Sequence, residues 1–389
     1  MMPSNGLPKI LYMADVPVEQ SYAGATQLYR LLEFYPKDKL VIVQGMVVNN
    51  QKRLPGVSYQ VWENTFFSKL YHSKFSKLVL PFYVVHFFFI RTRERKLIQS
   101  FQPDIILSVS FKLLWLKAFR LAKKYQLPFH IILHDEWLMT ENYAYLNSFM
   151  KQQFTSMLQY AQGKFCISPN LRNYYQALVP SQYQVLYPIR GKNDTASVQQ
   201  KKKFDEKQML KYCYLGSLYT QDFPEMLNQI AQKIIQQGNE LHIFSPNKKE
   251  SLASFEWLQH SKVFFNDFIE QDELLRTMST ELDVAILLNS FKQEQAFQYN
   301  FSSKLVDYTA AGLPILFWGP VSAGAIQWAI MNKYSWVLTT RADAALAEKL
   351  NQAKEAIQRK ELAAISMALG NEYFGYSRNH QLFINTIST

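Results

Sequence analysis

Short runs of consecutive apolar residues recur through the first half of the chain: KILYMADV, KLVIVQG, VSYQVW, PDIILSVS, PFHIILHDEW, KFCISP and YQVLYPI. Helix-length stretches such as Thr26–Tyr35 and Phe111–Tyr125 separate several of them. The hydrophobicity is continuous instead of alternating, which predicts strands covered on both faces, hence a mainly parallel sheet between helices. The fold class is α/β. The rhythm stops after Arg190, where GKNDTASVQQKKKFDEKQ is polar and rich in lysine, and then restarts with KYCYLGSL, ELHIFS, KVFFND, DVAILL, PILFWG and SWVLTT. Helical candidates here include Pro224–Gln237 and Ser303–Ala311. The pattern divides the chain into a first domain over 1–190, a linker over 191–208, a second domain over 209–370, and a C-terminal helical piece over 371–389 expected to pack back on the first domain. An Ala/Glu/Lys/Leu-rich helix is predicted from Ala342 to about Leu369, with an amphipathic piece near His380–Ile387, and no tandem repeat is evident.

The 389 residues also exceed what one hydrophobic core usually supports. An apolar fraction of 48% supplies two cores, and charged residues at 19% describe a globular chain. The net charge of +11 adds something the periodicity does not show. It calls for an anionic partner: a nucleic acid, an anionic membrane face or a phosphorylated small molecule. Aromatics accompany lysines over Trp62–Lys77, but there is no zinc finger, RNP-like motif or compact basic helix, so no nucleic-acid partner is expected. Cys166 and Cys213 sit in predicted strands of different domains, which leaves no disulfide framework and no zinc-ligand spacing. A reducing, cytoplasmic compartment fits, and no metal is expected. The opening MMPSNGLPKILYMADV contains Asp15 and lacks the basic start and cleavage site of a signal peptide, so it reads as the first strand.

Candidate chemistry concentrates in NFSSKLVDYTAAGLPILFW, from Asn300 to Trp318. Lys304 falls in the first turn of a predicted helix, where the partial positive charge makes a cation unfavourable unless an anion joins it. Ser302 or Ser303 is placed to cap that helix, and Gly312 with Pro314 to end it. Its free amides would face the crevice at the carboxyl ends of a parallel sheet, where a diphosphate satisfies the amides and Lys304 together. Asp307 lies on the same helical face as Ser303 and Lys304, and a carboxylate one turn below an anion site can accept bonds from the vicinal hydroxyls of a ribose. An ordinary capped helix with an exposed lysine and a solvated aspartate reads equally well from these residues alone.

HDEWLMTE follows the run PFHIIL and puts His134, Asp135 and Glu136 at the carboxyl end of a strand, although a histidine tied to backbone there is just as ordinary. Two carboxylates beside one histidine make no recognised metal-ligand spacing. Gly24, in Ser21-Tyr-Ala-Gly-Ala25, lets backbone approach a ligand, but the stretch is not G-x-G-x-x-G, so no nicotinamide cofactor is expected. Leu78–Ile90, LVLPFYVVHFFFI, leads straight into RTRERK. It is too short to span a bilayer as a helix. Two readings remain open: a surface element whose Phe87 and Phe88 meet lipid or an acceptor while Arg91, Arg93, Arg95 and Lys96 meet anionic headgroups, or a buried helix under the first domain.

SSKLVDYTAAGLPIL resembles the donor-site helix of GT-B glycosyltransferases of the large retaining family four, whose bacterial members often carry S-K-L-x-[DE]-Y-x-A-A-G-x-P. A glycine after the first strand, an HD pair after a middle strand and YLGSL opening the second domain extend the resemblance in the same order. The resemblance implies two Rossmann-like domains facing a central cleft that closes about the linker. It implies transfer of a sugar, with retention, from a nucleotide-sugar co-substrate to a glycan or lipid-linked acceptor in bacterial surface polysaccharide biosynthesis, without a cofactor and at the inner membrane face. By the same resemblance Asp307 holds the ribose, His134 with Asp135 reaches the transferred sugar, and the Gly24 loop faces donor phosphate and acceptor. Gly216 and Ser217 then lie beside the diphosphate. Two departures stand out. Tyr299 occupies the position of the first glutamate of the family's E-x7-E pattern, and Ser217-Leu-Tyr-Thr lacks the Arg and Lys usual after that strand, so Lys304 and the helix amides are the expected substitutes. A sugar-nucleotide epimerase or hydrolase of the same fold, or a noncatalytic glycan-assembly partner, would carry the same features.

Overall fold

The computed structural model describes residues 6–46, 50–62, 76–137, 143–192, 204–206, 209–218, 220, 222–246, 249–266 and 269–388. Most of the polar 191–208 stretch and of the Trp62–Lys77 region lies outside these. Contacts divide the chain into two compact units, one of residues 1–187 with 379–389 and the other of residues 188–378.

The first unit carries strands β1 (Ile10–Ala14), β2 (Leu40–Gln44), β3 (Ser58–Val61), β4 (Ile105–Val109), β5 (Phe129–Leu133), β6 (Gly163–Cys166) and β7 (Gln184–Val185). Among the described residues they form one parallel sheet in the order β3-β2-β1-β4-β5-β6-β7. Every residue of β1, β2, β4 and β5 is buried, which is why their sequences are unbroken apolar runs, whereas the edge strand β3 is half open. The helices are α1 (Ala23–Leu32), α2 (Ser76–Phe88), α3 (Thr92–Phe101), α4 (Leu114–Tyr125), α5 (Asn147–Tyr160) and α6 (Pro169–Leu178). The last helix of the chain, α14 (Tyr376–Ile387), brings Phe383, Ile384 and Ile387 into this core, with the Phe383 ring 5.6 Å from Phe165 of β6.

The second unit carries β8 (Lys211–Leu215), β9 (Glu240–Phe244), β10 (Val263–Asn266), β11 (Val284–Leu288), β12 (Ile315–Trp318) and β13 (Val337–Leu338), all parallel in the order β10-β9-β8-β11-β12-β13. Its helices are α7 (Phe223–Gln236), α8 (Gln271–Glu281), α9 (Glu294–Tyr299), α10 (Lys304–Ala310), α11 (Gly324–Met331), α12 (Asp343–Gln352) and α13 (Ala356–Phe374). Each sheet reverses its strand order once, between β1 and β4 in the first unit and between β8 and β11 in the second. Such a reversal opens a crevice at the carboxyl ends of the strands, the usual ligand position in this class of sheet.

Leu78–Phe88 of this run lies in α2, packed on α4, with Leu80, Val84 and Phe87 buried, and Phe89 and Ile90 follow the helix end. This corrects the expectation that Phe87 meets lipid: the helix turns that side chain inward. Phe88 is half-buried, with the Arg120 guanidinium 5.3 Å from its ring centroid and the Phe149 ring 5.5 Å away.

Candidate functional site

At the reversal in the second unit, β8 ends at Leu215 and the chain turns through Gly216, whose φ of 110° lies in the region open to glycine. The Gly216 amide donates to the Phe244 carbonyl at 2.8 Å. A Cβ on Gly216 would overlap Cε of Lys304 and lie 2.9 Å from its Nζ. The missing side chain is therefore what lets the lysine stem cross the turn. Lys304 is half-buried; its Nζ donates to the Tyr214 hydroxyl at 3.2 Å and sits 4.4 Å over the Tyr214 ring and 5.8 Å from the Phe223 ring centroid. Burial pulls its pKa down to about 7. No salt bridge reaches it among the described residues. A cation lodged among aromatic faces with a phenol as partner gains strongly from an arriving anion.

Tyr308 fixes α10 across the reversal. Its hydroxyl accepts from the Leu215 amide at 2.8 Å and donates to the Ile286 carbonyl at 3.0 Å, so one buried phenol spans β8 and β11. Thr309 on the next position accepts from Nη2 of buried Arg190 at 2.9 Å. Gly312, at φ 64°, ends the helix in the left-handed conformation.

Ser303 does not cap. Its backbone is already helical, at φ −63° and ψ −20°, and its side chain makes no capping hydrogen bond, because a capping hydroxyl needs the extended backbone that carries it over the first turn. Ser302 contributes its carbonyl, which accepts from the Leu305 amide at 3.2 Å. Asp307 is half-buried, and its Oδ1 accepts from Nε2 of Gln271 on α8 at 2.8 Å. Ser217, half-buried beside Gly216, takes the Tyr214 hydroxyl on its carbonyl at 3.2 Å. Tyr299 lies at the end of α9 and is half-buried.

Buried Asp222 shapes the loop after β11. It accepts from the Ser290 hydroxyl at 2.5 Å and from the Phe291 and Lys292 amides at 2.9 and 3.2 Å. Burial raises its pKa, but the hydrogen bonds from Ser290, the two amides and Thr220 outweigh that and hold it below the ordinary carboxylate range. Tyr214, Gln271 and Asp222 escaped the sequence reading. Asp222 does carry a signal, an Asp just before Phe-Pro-Glu at a helix start, yet its carboxylate leaves its own helix uncapped and serves the neighbouring loop.

The corresponding point in the first unit is arranged differently. The Asp15 Oδ2 there accepts from the Leu113 and Leu114 amides at 3.0 and 2.7 Å, so the start of α4 already carries a carboxylate of the chain. The geometry does bring Gly24 and His134 together: a Cβ on Gly24 would lie 3.3 Å from the His134 Nδ1. His134 follows β5 half-buried, and burial pulls its pKa to about 4, leaving it neutral at physiological pH. Asp135 is half-buried, and burial raises its carboxyl. Glu136 is turned into the core, where it accepts from the Tyr174 hydroxyl at 2.5 Å, while the Tyr175 hydroxyl donates to the Asp135 carbonyl at 3.0 Å. Among the described residues no group of three or more His, Cys, Asp or Glu could hold a metal ion. Arg91, Arg93 and Arg95 lie where α2 passes into α3, with Arg93 4.1 Å over the Trp62 ring.

Neither protein-family models nor curated protein sequences give a match to this chain. Solved structures do. The Anabaena protein HepE, in complex with UDP and glucose, is 14% identical, with 98% of this chain and 99% of that chain covered at a TM-score of 0.63. An alpha,alpha-trehalose-phosphate synthase (UDP-forming) from Burkholderia xenovorans, in complex with glucose-6-phosphate, is 10% identical over 98% of this chain and 100% of that chain, with a TM-score of 0.67. An E. coli trehalose-6-phosphate structure bound with UDP-2-fluoro glucose is 12% identical over 98% and 99%, with a TM-score of 0.66. Likeness at these identities is likeness of fold: the chain has the two parallel-sheet, Rossmann-like units of GT-B proteins along its whole length.

Proposed function

We propose that this protein is a glycosyltransferase that takes a sugar from a nucleoside-diphosphate donor and transfers it to a glycan or lipid-linked acceptor, in bacterial surface polysaccharide biosynthesis and with retention at the anomeric carbon. One observation carries the reading: a half-buried lysine without a salt bridge among the described residues crosses a side-chain-free turn at the strand-order reversal of the second sheet. Like folds solved with UDP or a UDP-sugar make a nucleoside diphosphate the anion of choice. The second unit is the donor unit because the first spends its own helix start on Asp15.

In this reading the diphosphate lies against Lys304, the Gly216 and Ser217 turn and the amides around Ser302 and Ser303, and the ribose hydroxyls meet Asp307. As the bond between sugar and phosphate breaks, charge grows on the departing oxygen, and a preplaced cation there lowers the barrier. Retention follows when the acceptor hydroxyl attacks from the face the diphosphate leaves and gives its proton to a departing phosphate oxygen. His134, neutral and against the Gly24 backbone, serves as a sugar contact beside Asp135. No cofactor is assigned beyond the co-substrate.

Calorimetry with UDP, GDP and CDP, followed by turnover of the matching sugar nucleotides, tests this. Selective binding by the wild type and a loss of about 10- to 100-fold in Lys304→Met are expected, the range for a charge-assisted hydrogen bond. Equal affinity in that variant ends the assignment. A second reading, a nucleotide-binding partner without chemistry, is favoured by Tyr299 standing where the family pattern has an acid; nucleotide binding with neither transfer nor hydrolysis would select it.

A further inference from the structure

α2 is apolar around most of its circumference, yet among the described residues one side alone is covered. Leu80, Val84 and Phe87 recur at helical spacing on the buried side, which packs on α4. Leu78, Phe82 and Val85 repeat the same spacing on the other side, with Phe89 just past the helix end, and the four are 72, 67, 46 and 64% exposed. A helix apolar all round is normally buried all round, and a contiguous exposed apolar stripe marks an interaction surface. The helix has 13 residues, well short of the ~20 needed to cross a bilayer. Among the described residues no helix is long and apolar enough to do so.

The charges next to the stripe identify its occupant. The chain passes from Phe89 directly to Arg91, Arg93, Arg95 and Lys96, all exposed. Between Ser76 and Gln102 the sole acidic residue is Glu94, and it is buried, 3.1 Å from Nζ of Lys117 and accepting from the Arg91 amide at 2.7 Å. Of the four surface cations Arg93 alone pairs with it among the described residues, at 3.9 Å, so one acid stands against a run of four cations. His86 adds no charge, since burial and the nearby Arg91 push its pKa to about 4. Nucleic acid has no use for an aliphatic and aromatic stripe, and a second copy of the chain would bring another +11 of like charge. An anionic bilayer satisfies both halves: the stripe enters the acyl boundary and the basic side chains reach phosphate headgroups.

We infer that the outer face of α2, with the basic start of α3, docks this protein on an anionic lipid surface. The contact residues are Phe82 and Phe89 in place of Phe87 and Phe88. The inference does not depend on glycosyl transfer.

Vesicle flotation of the full chain, without nucleotide, tests it, using phosphatidylcholine alone and phosphatidylcholine mixed with phosphatidylglycerol. Binding to the mixed vesicles alone, weakened by salt, is expected. Phe82→Ser with Phe89→Ser should lower partitioning by about 100-fold. Arg95→Gln with Lys96→Gln should lower it by about 20-fold. All four side chains are exposed, so unchanged thermal unfolding and unchanged UDP affinity accompany these losses. Equal binding to both vesicle types, or flotation of the double phenylalanine variant like wild type, overturns the inference. So does a wild-type dimer that the double phenylalanine variant converts to monomer. A chain that floats but transfers no sugar keeps this inference and loses the proposed activity.

Discussion

Lys304 and Gly216 behave as one device, and each explains the other's chemistry. The lysine is held near pKa 7 by burial, against an ordinary value of 10.5. Between those values the unfolded chain binds more protons than the folded one, so this group's contribution to stability rises with pH across that window in the free protein. A bound diphosphate favours the ammonium and reverses the preference. Nucleotide binding should therefore take up about half a proton at pH 7 and close to one near pH 8–9, visible as a dependence of calorimetric enthalpy on buffer ionisation enthalpy, and absent in Lys304→Met. Gly216→Ala should displace the lysine stem and strain the turn, costing about 1–3 kcal/mol in chemical denaturation and weakening UDP binding in parallel.

At the scale of elements, α10 is short and its start uncapped by Ser303, so its placement depends on tertiary bonds. Tyr308→Phe leaves the Leu215 amide and the Ile286 carbonyl without their partner, and a loss of about 1–3 kcal/mol in urea unfolding is expected, with nucleotide affinity falling because α10 and β8 separate. A substitution that left both unchanged would show that α10 is held by packing alone. The helix itself, its glycine stop and the strand after it were legible as a local pattern, because Gly312 and Pro314 act within a few residues. The Tyr308 bridge was not, since the amide it receives belongs to a strand far away in sequence. α2 shows the same limit from another side. A helix that is apolar all round has no face to read, and packing against α4 decided that Phe87 turns inward and Phe82 outward.

For the whole molecule, two consequences are measurable. His86, His130 and His134 all have pKa values pulled to about 4, chiefly by burial, against an ordinary 6.5. The unfolded chain binds the extra protons between pH 4 and 6.5, so stability should fall as pH drops through that window, and His130→Gln should reduce the fall in melting temperature. The C-terminal residues belong to the first unit's core. Deleting 379–389 removes the buried Phe383, Ile384 and Ile387, and a destabilisation of about 5 kcal/mol, an upper bound from area, should appear as early proteolysis of the first unit.

By itself the chain's order of apolar runs determined two parallel-sheet units, because strands buried on both faces and helices that cross between them leave periodicities that survive without partners. It also raised the expectation of an anion near Lys304, because a cation in a first helical turn is locally unfavourable without one. Tertiary structure alone decided the rest. Lys304 meets Gly216 and Tyr214 because β8 and β11 are neighbours in space, His134 meets Gly24 because β5 and the turn after β1 end on the same side of one sheet, and the first unit's own carboxylate occupies the helix start that the second leaves to Lys304. Contacts of that kind depend on strand order, which no local spacing encodes.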